Sequence, residues 1–123
     1  ARVSDLGVEP VWILGTGWCS DSIALDSREW GTAAYARLAA QQAYRQAGIG
    51  NPGREIDFAE VDDSFSYKEL QHLEALGVFR PGEAGVATEE GATQLDGDFP
   101  VNPSGGSLGV GYLGEANGLQ KVV

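Results

Sequence analysis

One aromatic side chain, the phenol of Tyr112, stands in a glycine-rich stretch at residues 100–118, PVNPSGGSLGVGYLGEANG. Glycine has no Cβ, so backbone there can approach a ligand closely and can adopt positive φ. An unperturbed tyrosine titrates near about pH 10, so the phenol can donate a proton or hydrogen bond at neutral pH, whereas acting as a base requires a lowered pKa. The stretch therefore indicates close approach of backbone to backbone or to a ligand, beside a single phenol.

The same stretch spells Gly-x-Gly-x-x-Gly at residues 109–114. The dinucleotide-binding pattern of that form needs a strand directly before it and a βαβ unit around it. Here Asn-Pro-Ser-Gly-Gly-Ser, and not a strand, precedes the pattern. The earlier Gly-Thr-Gly at residues 15–17 does follow an apolar run, but the next predicted helix begins too far along the chain to fit the pattern. Nucleotide binding is therefore disfavoured.

The charge and the rare residues exclude further classes. The 123 residues carry 8 basic and 18 acidic side chains, a formal net charge of -10, which opposes nucleic-acid binding. No apolar run approaches the roughly 20 residues of a membrane span. A single cysteine, Cys19, and a single histidine, His72, exclude an internal disulfide and disfavour a metal site. We expect a cytoplasmic protein without a membrane span or a bound metal.

The first half of the chain predicts a strand and a helix. The apolar run at residues 11–14 indicates a short buried strand. Alanines recur every three or four residues in TAAYARLAAQQAYRQAG, which predicts a helix with a small-residue face against a neighbour, ending at Gly48. These alanines are Ala36, Ala40, Ala43 and Ala47.

A second strand and a second helix follow. EIDFAEV at residues 55–61 indicates a strand with Ile56, Phe58 and Val61 buried. Ser66 and Glu69 fit a capping box, in which hydroxyl and carboxylate satisfy backbone donors, and Phe65 is placed to staple against Leu70.

The rest of the chain predicts a loop, a weak strand and a last helix. Residues 80–98 are acidic and glycine-rich and indicate a solvated loop with a short hairpin at its end. A strand is expected at residues 99–101 and a helix from Gly114. Strands and helices alternate along the chain, which predicts an α/β fold. Because the sequence stops inside the last helix, we expect it to be either an excerpt of a larger protein or one piece of a divided one.

Two stretches resemble the C-terminal half of the thiolase superfamily, in particular the sterol-carrier-protein-type thiolases and the steroid side-chain aldolases. They are DFAEVDDSFSYKEL at residues 57–70 and DGDFPVNPSGGSLGVGYLGEANGLQKVV at residues 96–123. The resemblance implies that residues 1–123 belong to one thiolase-like C-terminal domain, an α/β fold with a mixed sheet and layered helices. It also implies a homodimer of the full protein.

Two departures from the thiolase pattern concern catalysis. The resemblance places the nucleophilic cysteines of thiolases outside this sequence, and Cys19 matches neither of their motifs. Tyr112 takes the place of the histidine in Gly-His-Pro, and Asp62 takes that of the asparagine or histidine in the first motif. A developing enolate needs hydrogen-bond donors, and an ionised carboxylate can only accept hydrogen bonds. Ordinary Claisen chemistry is therefore disfavoured.

The resemblance to the aldolases implies retro-aldol cleavage of a β-hydroxyacyl-CoA, plausibly a steroid side-chain thioester. That reaction needs a proton acceptor and a proton donor, and we expect Asp62 and Tyr112 to divide these duties. The predicted substrate-binding residues are Ser104, Gly105, Gly106 and Gly111, whose backbone would face the thioester. Coenzyme A would enter only as part of the substrate, with no separate cofactor, and a small OB-fold partner protein is implied.

Several alternatives stay open. The chain could belong to an acyl-CoA acyltransferase or to a non-catalytic scaffold subunit, and Asp62 could be a solvated turn residue. Asp63 and Cys19 are expected to be structural, and His72 to be exposed without a role. The three tryptophans are expected in a core or an interface, and Trp18 and Trp30 could also line a pocket for a bulky ring system.

Overall fold

A computed structural model of the protein describes residues 5, 7 and 9–122, whose regular structure is almost entirely helical. No helix in this part of the chain has the length and apolar character that crossing a membrane requires. Short 3-10 turns lie at Leu25–Ser27 and Gly114–Ala116. The α-helices are α1 (Ala34–Ala47), α2 (Pro52–Glu55), α3 (Ser66–Ala75), α4 (Ala84–Glu89), α5 (Gly106–Val110) and α6 (Asn117–Gln120).

The alanine-rich helix is confirmed as α1, and it ends as predicted. Gly48 follows it in the left-handed conformation, with φ 74°, and donates its amide to Tyr44. Ala40 is buried, and the Tyr44 hydroxyl donates to the carbonyl of Leu76 at 2.9 Å just after α3. Small side chains on this face therefore allow α1 to lie against α3.

The segment before α1 also lies against that helix. A Cβ on Gly15 would come within 2.2 Å of the Ala43 carbonyl oxygen, and one on Gly17 within 1.9 Å of that of Ala39. Gln46 donates to the Thr16 carbonyl at 2.7 Å. The backbone of residues 15–17 therefore lies directly against α1, and only glycine, which has no Cβ, permits so close an approach.

The strand predicted at residues 11–14 is wrong for this structure. The segment is irregular, and Val11 and Ile13 are 96% and 72% exposed. An apolar run forms a strand only where another strand supplies its hydrogen bonds, and in the described part of the chain none lies beside this one.

The two later strand predictions reduce to one parallel bridge between Ala59 and Val101. The Ala59 amide donates to the Pro100 carbonyl at 3.1 Å, and the Asn102 amide donates to the Ala59 carbonyl at 2.8 Å. Phe58 is 54% exposed, so its predicted burial is wrong. Helices and this bridge agree with an α/β arrangement, while the mixed sheet stays a prediction.

The core lies where α3 and α4 meet the chain before Val101. Leu73 and Ala84 are fully buried and Phe99 is 5% exposed, with Phe79 packed edge-on against Phe99. Helix α4 occupies part of the predicted loop at residues 80–98, which is a correction. Glu74 accepts the amides of Gly82 and Ala84 at 2.8 and 3.3 Å, so α3 holds the start of α4. The rest of the segment is turns, and the predicted hairpin is not formed.

The predicted capping box of α3 is wrong. The helix begins at Ser66 itself, Phe65 is the cap residue, and no side chain caps it. Glu69 instead accepts a hydrogen bond from the Asn102 side-chain amide at 3.4 Å. Phe65, expected to staple against Leu70, is 61% exposed and stacks on Tyr67. The last helix is confirmed near Gly114 as a 3-10 turn followed by α6, while Val123 lies outside the described residues.

Candidate active site

Tyr112 and Asp62 line the same cavity, which has a volume of about 490 Å³. Tyr112 stands between α5 and the Gly114–Ala116 turn and is 64% exposed. Asp62 follows the Ala59–Val101 bridge, at the turn into α3. Glu60 and Lys121 line the cavity as well. The fold therefore brings together the two residues that the sequence proposed for proton transfer.

Asp62 is held by the turn that contains it and by α3. Its carboxylate accepts from the Ser64 amide at 3.0 Å and from the Ser64 hydroxyl, and Lys68 lies 3.4 Å away. Partial burial raises the pKa of Asp62, but the Ser64 hydrogen bonds and the Lys68 charge outweigh it and leave the pKa below the ordinary value. Asp62 is thus ionised at neutral pH and a weaker base than an ordinary aspartate, and its role in proton transfer stays a prediction.

Two of the backbone amides that were predicted to face the substrate donate hydrogen bonds to other groups of the chain. The Ser104 amide donates to Glu60 at 2.8 Å, and the Gly105 amide donates to the Asn102 carbonyl at 2.9 Å. Both amides therefore have acceptors within the protein, and substrate binding at Ser104 and Gly105 stays a prediction. Gly111 is exposed, with φ 104°, and its role as a substrate contact stays a prediction.

Gly106 and Asp63 form the closest contact between the two motifs. Asp63 is 5% exposed and accepts the amides of Ser107 at 2.6 Å and Leu108 at 3.5 Å. A Cβ on Gly106 would lie 2.0 Å from the Asp63 carboxylate. Asp63 thus stabilises the start of α5, the structural role expected for it, and the glycine admits the carboxylate rather than a ligand.

Asn102 is a positioning residue that sequence reasoning missed. It has a φ of 51°, uncommon outside glycine but tolerated by asparagine. Its side-chain oxygen accepts the Val61 amide at 2.8 Å, and its side-chain amide donates to Glu69 at 3.4 Å. Burial raises the pKa of Glu69, and the Asp63 charge adds to this. The available signal was that Asn102 opens the Asn-Pro-Ser-Gly-Gly motif.

A partly buried ion pair at the cavity was missed as well. Lys121 lies 3.5 Å from the Glu60 carboxylate and donates to the Ser104 hydroxyl at 2.8 Å. The Lys121 and Glu60 side chains are only 10% and 13% exposed. No local pattern signals this pair, because its partners lie far apart in the sequence.

His72 is neither exposed nor unpartnered, so that expectation is wrong. It shares a 2.9 Å hydrogen bond with the Tyr35 hydroxyl across the α1–α3 contact. Burial lowers the pKa of His72, partly offset by the Asp62 charge. Tyr35 and His72 line a second, largely apolar cavity of about 490 Å³, together with Trp18 and Cys19.

The tryptophans lie on the surface of this chain. Trp12, Trp18 and Trp30 are 68%, 79% and 63% exposed, so burial in this chain's own core is wrong, and an interface role stays a prediction. Trp18 lines the second cavity, and Trp30 lines a separate one with Tyr67 and Lys68. Among the described residues, no cluster of acidic, histidine and cysteine side chains is arranged to hold a metal ion.

Three curated proteins resemble the chain. Acetyl-CoA acetyltransferase of Methanothermobacter thermautotrophicus is 40% identical over 111 residues, 89% of this chain and 28% of that protein. Sterol carrier protein 2 of Rattus norvegicus is 36% identical over 66% of this chain and 14% of that protein. Steroid side-chain-cleaving aldolase of Thermomonospora curvata is 37% identical over 70% of this chain and 22% of that protein. The chain thus spans less than a third of each relative.

A solved structure of an Ltp2-ChsH2(DUF35) aldolase matches with a TM-score of 0.76 and 31% identity, over 88% of this chain and 29% of that one. A family model described as thiolase C-terminal domain-like matches residues 17–123. These matches confirm the resemblance that the two motifs indicated. The chain belongs to the thiolase superfamily and has its C-terminal domain-like fold.

Proposed function

We propose that this chain is part of a thiolase-like carbon–carbon lyase that cleaves a β-hydroxyacyl-CoA, a steroid side-chain thioester, by a retro-aldol reaction. One observation carries the proposal: Tyr112, which replaces the thiolase histidine, lines one cavity with Asp62. Similarity to two proteins named as aldolases supports it.

The proton balance assigns the two residues different tasks. The Asp62 carboxylate takes the proton of the β-hydroxyl group, and the Cα–Cβ bond breaks to give a ketone and the enolate of a shorter acyl-CoA. The Tyr112 phenol then donates a proton to the enolate. Lys68 keeps Asp62 in the ionised form that accepts a proton, at the cost of basicity. No covalent nucleophile is required.

Acyl transfer is the second candidate, favoured by the 40% identity to an acetyl-CoA acetyltransferase. It needs a nucleophilic thiol close to Tyr112. Cys19 lines the second cavity and not the one that Tyr112 lines, so for acyl transfer the thiol would have to come from outside this sequence. A non-catalytic scaffold would show neither activity.

A protein partner and a second copy belong to the same proposal. The matching aldolase structure, Ltp2-ChsH2(DUF35), is named for two components, which supports a partner for the parent of this chain. The net charge of -10 suits a partner with a basic surface. We expect that partner to be a small OB-fold protein and the parent to form a homodimer.

The deciding experiment uses the full-length parent with any co-encoded partner. It receives a β-hydroxyacyl-CoA with a bulky tertiary alcohol and, separately, a β-ketoacyl-CoA plus free CoA, and mass spectrometry follows the products. We expect a ketone and a shortened acyl-CoA from the hydroxy substrate alone. Thiolysis of the keto substrate would contradict the lyase and support the acyltransferase.

Tyr112→Phe in the same protein tests the assigned proton donor. Removing one positioned proton donor should lower kcat about 10²–10⁴-fold, because the enolate loses its proton source. Leu113→Ala, beside it in the chain and 55% exposed, is the matched control and should retain turnover. Unchanged turnover in Tyr112→Phe would remove Tyr112 from the mechanism.

A further inference from the structure

Three side chains from three distant segments form a closed set of contacts beside the Tyr112 cavity. Glu60 accepts the Ser104 amide at 2.8 Å and the Ser104 hydroxyl at 2.9 Å, one on each carboxylate oxygen. Lys121 donates to the Ser104 hydroxyl at 2.8 Å and lies 3.5 Å from the Glu60 carboxylate. We call Glu60, Ser104 and Lys121 the clamp.

The clamp closes one end of the segment that carries Tyr112. Lys121 follows α6, which lies on the C-terminal side of Tyr112. On the N-terminal side, Asp63 holds α5 through the Ser107 amide at 2.6 Å. The segment from α5 to Lys121 is thus fastened at both ends to residues 60–63, the same turn that carries Asp62.

The ion pair of the clamp is less exposed to solvent than an ordinary surface ion pair. Glu60 and Lys121 are partly buried, so removing one of them would leave the other charge with less solvent and no ion-pair partner. Their side chains are 13% and 10% exposed, in contrast to the surface pair of Arg80 and Glu83 at 86% and 54%. Such a pair fixes a geometry that a surface pair does not.

We propose that Glu60 and Lys121 are positioning residues that set the Tyr112 phenol relative to Asp62. The proposal rests on the proposed lyase function for its catalytic consequence, but not for its structural one. Misplacing a reacting group by about 1 Å can cost about 10²-fold in rate. The clamp is therefore expected to affect turnover through the position of Tyr112.

The structural consequence is tested by amide hydrogen exchange on the full-length protein, wild type and Lys121→Met. The amides of Gly111 and Ala116 flank Tyr112 and donate to Ser107 and Leu113 at 3.1 and 3.3 Å. Both should exchange at least about tenfold faster in the variant, while α1 amides keep their rates. Unchanged exchange at both amides would overturn the proposal.

The catalytic consequence is tested by a double-mutant cycle between Lys121→Met and Tyr112→Phe. Lys121→Met should lower kcat about 10–100-fold with KM within about threefold, but should cost less than about threefold when Tyr112 is already phenylalanine. Lys121→Arg should restore most of the rate. An equal loss in both backgrounds would show that the clamp does not act through Tyr112.

Two further variants keep this test decisive. Glu60→Gln with Lys121→Met removes both charges together, so the cycle can be repeated without an unpaired buried carboxylate. Glu83→Gln is the matched surface control and should leave kcat unchanged. If exchange responds as expected but no retro-aldol product forms, the lyase proposal fails and the positioning of Tyr112 by the clamp stands.

Discussion

Three acidic side chains within residues 60–63 have three different sets of partners. Glu60 binds Ser104 and Lys121, Asp62 binds Ser64 and Lys68, and Asp63 accepts the amides that begin α5. Their sequence, Glu-Val-Asp-Asp, resembles an ordinary solvated acidic run. Only their partners in the folded chain distinguish Glu60 and Asp63, which fasten the glycine-rich stretch, from Asp62, which is bound by its own turn and by α3.

Lys68→Met should raise the pKa of Asp62. The folded pKa lies below the ordinary value of about 3.9, so the stabilisation it represents is present above about pH 3.9 and is lost as the pH falls through the folded pKa. Removing the Lys68 charge should bring the titration closer to the ordinary value. Carbon-13 NMR titration of the Asp62 carboxyl measures this directly, with Arg80→Met as an exposed control. A lower pKa in Lys68→Met would contradict the assignment of Lys68 as the stabilising charge.

At the scale of elements, two parts of the chain pack against α1: the segment before it and α3. Gly15 and Gly17 bring backbone against its Ala43 and Ala39 side, while Tyr35 reaches across to His72 on α3. The sequence predicted α1 well, because helix bonds are local and the alanine period is regular. It failed for the run at residues 11–14, because strands depend on partners that periodicity does not reveal.

Gly17→Ala should destabilise this contact by about 1–3 kcal/mol. The new Cβ would lie 1.9 Å from the Ala39 carbonyl oxygen, so the segment must shift away from α1. Equilibrium urea unfolding measures the change in the free energy of unfolding. Gly31→Ala is the control, because a Cβ there meets no atom within 4 Å. Equal stability of both variants would show that the segment is not held against the helix.

For the whole molecule, the core is small and many large apolar side chains remain at the surface. Leu73, Ala84 and Phe99 form the buried cluster, whereas Val11, Trp12 and Trp18 are at least 68% exposed. The family could be predicted from sequence, since motifs such as Asn-Pro-Ser-Gly-Gly are contiguous patterns. The clamp and the Asn102 contacts could not, because each joins residues that meet only in the folded chain.

Leu73→Ala should cost about 2–5 kcal/mol, because it leaves a cavity at a fully buried position. That is a large part of the roughly 5–15 kcal/mol that stabilises a typical domain. The measurement is again urea unfolding, on the full-length protein. Leu95→Ala, at a site 72% exposed, should change stability by less than about 0.5 kcal/mol. A small loss at Leu73 would mean that stability resides elsewhere.

The long separations between the two motifs also set an order of events during folding. The hydrogen bonds from residues 60–63 to the glycine-rich stretch span 41 to 45 positions. Closing so long a loop costs entropy that local helix bonds do not, and non-local contacts slow folding. Helix α1 should therefore form early, and the Tyr112 cavity should be completed last. A newly synthesised chain would acquire its helical circular dichroism signal before the Tyr112 cavity forms.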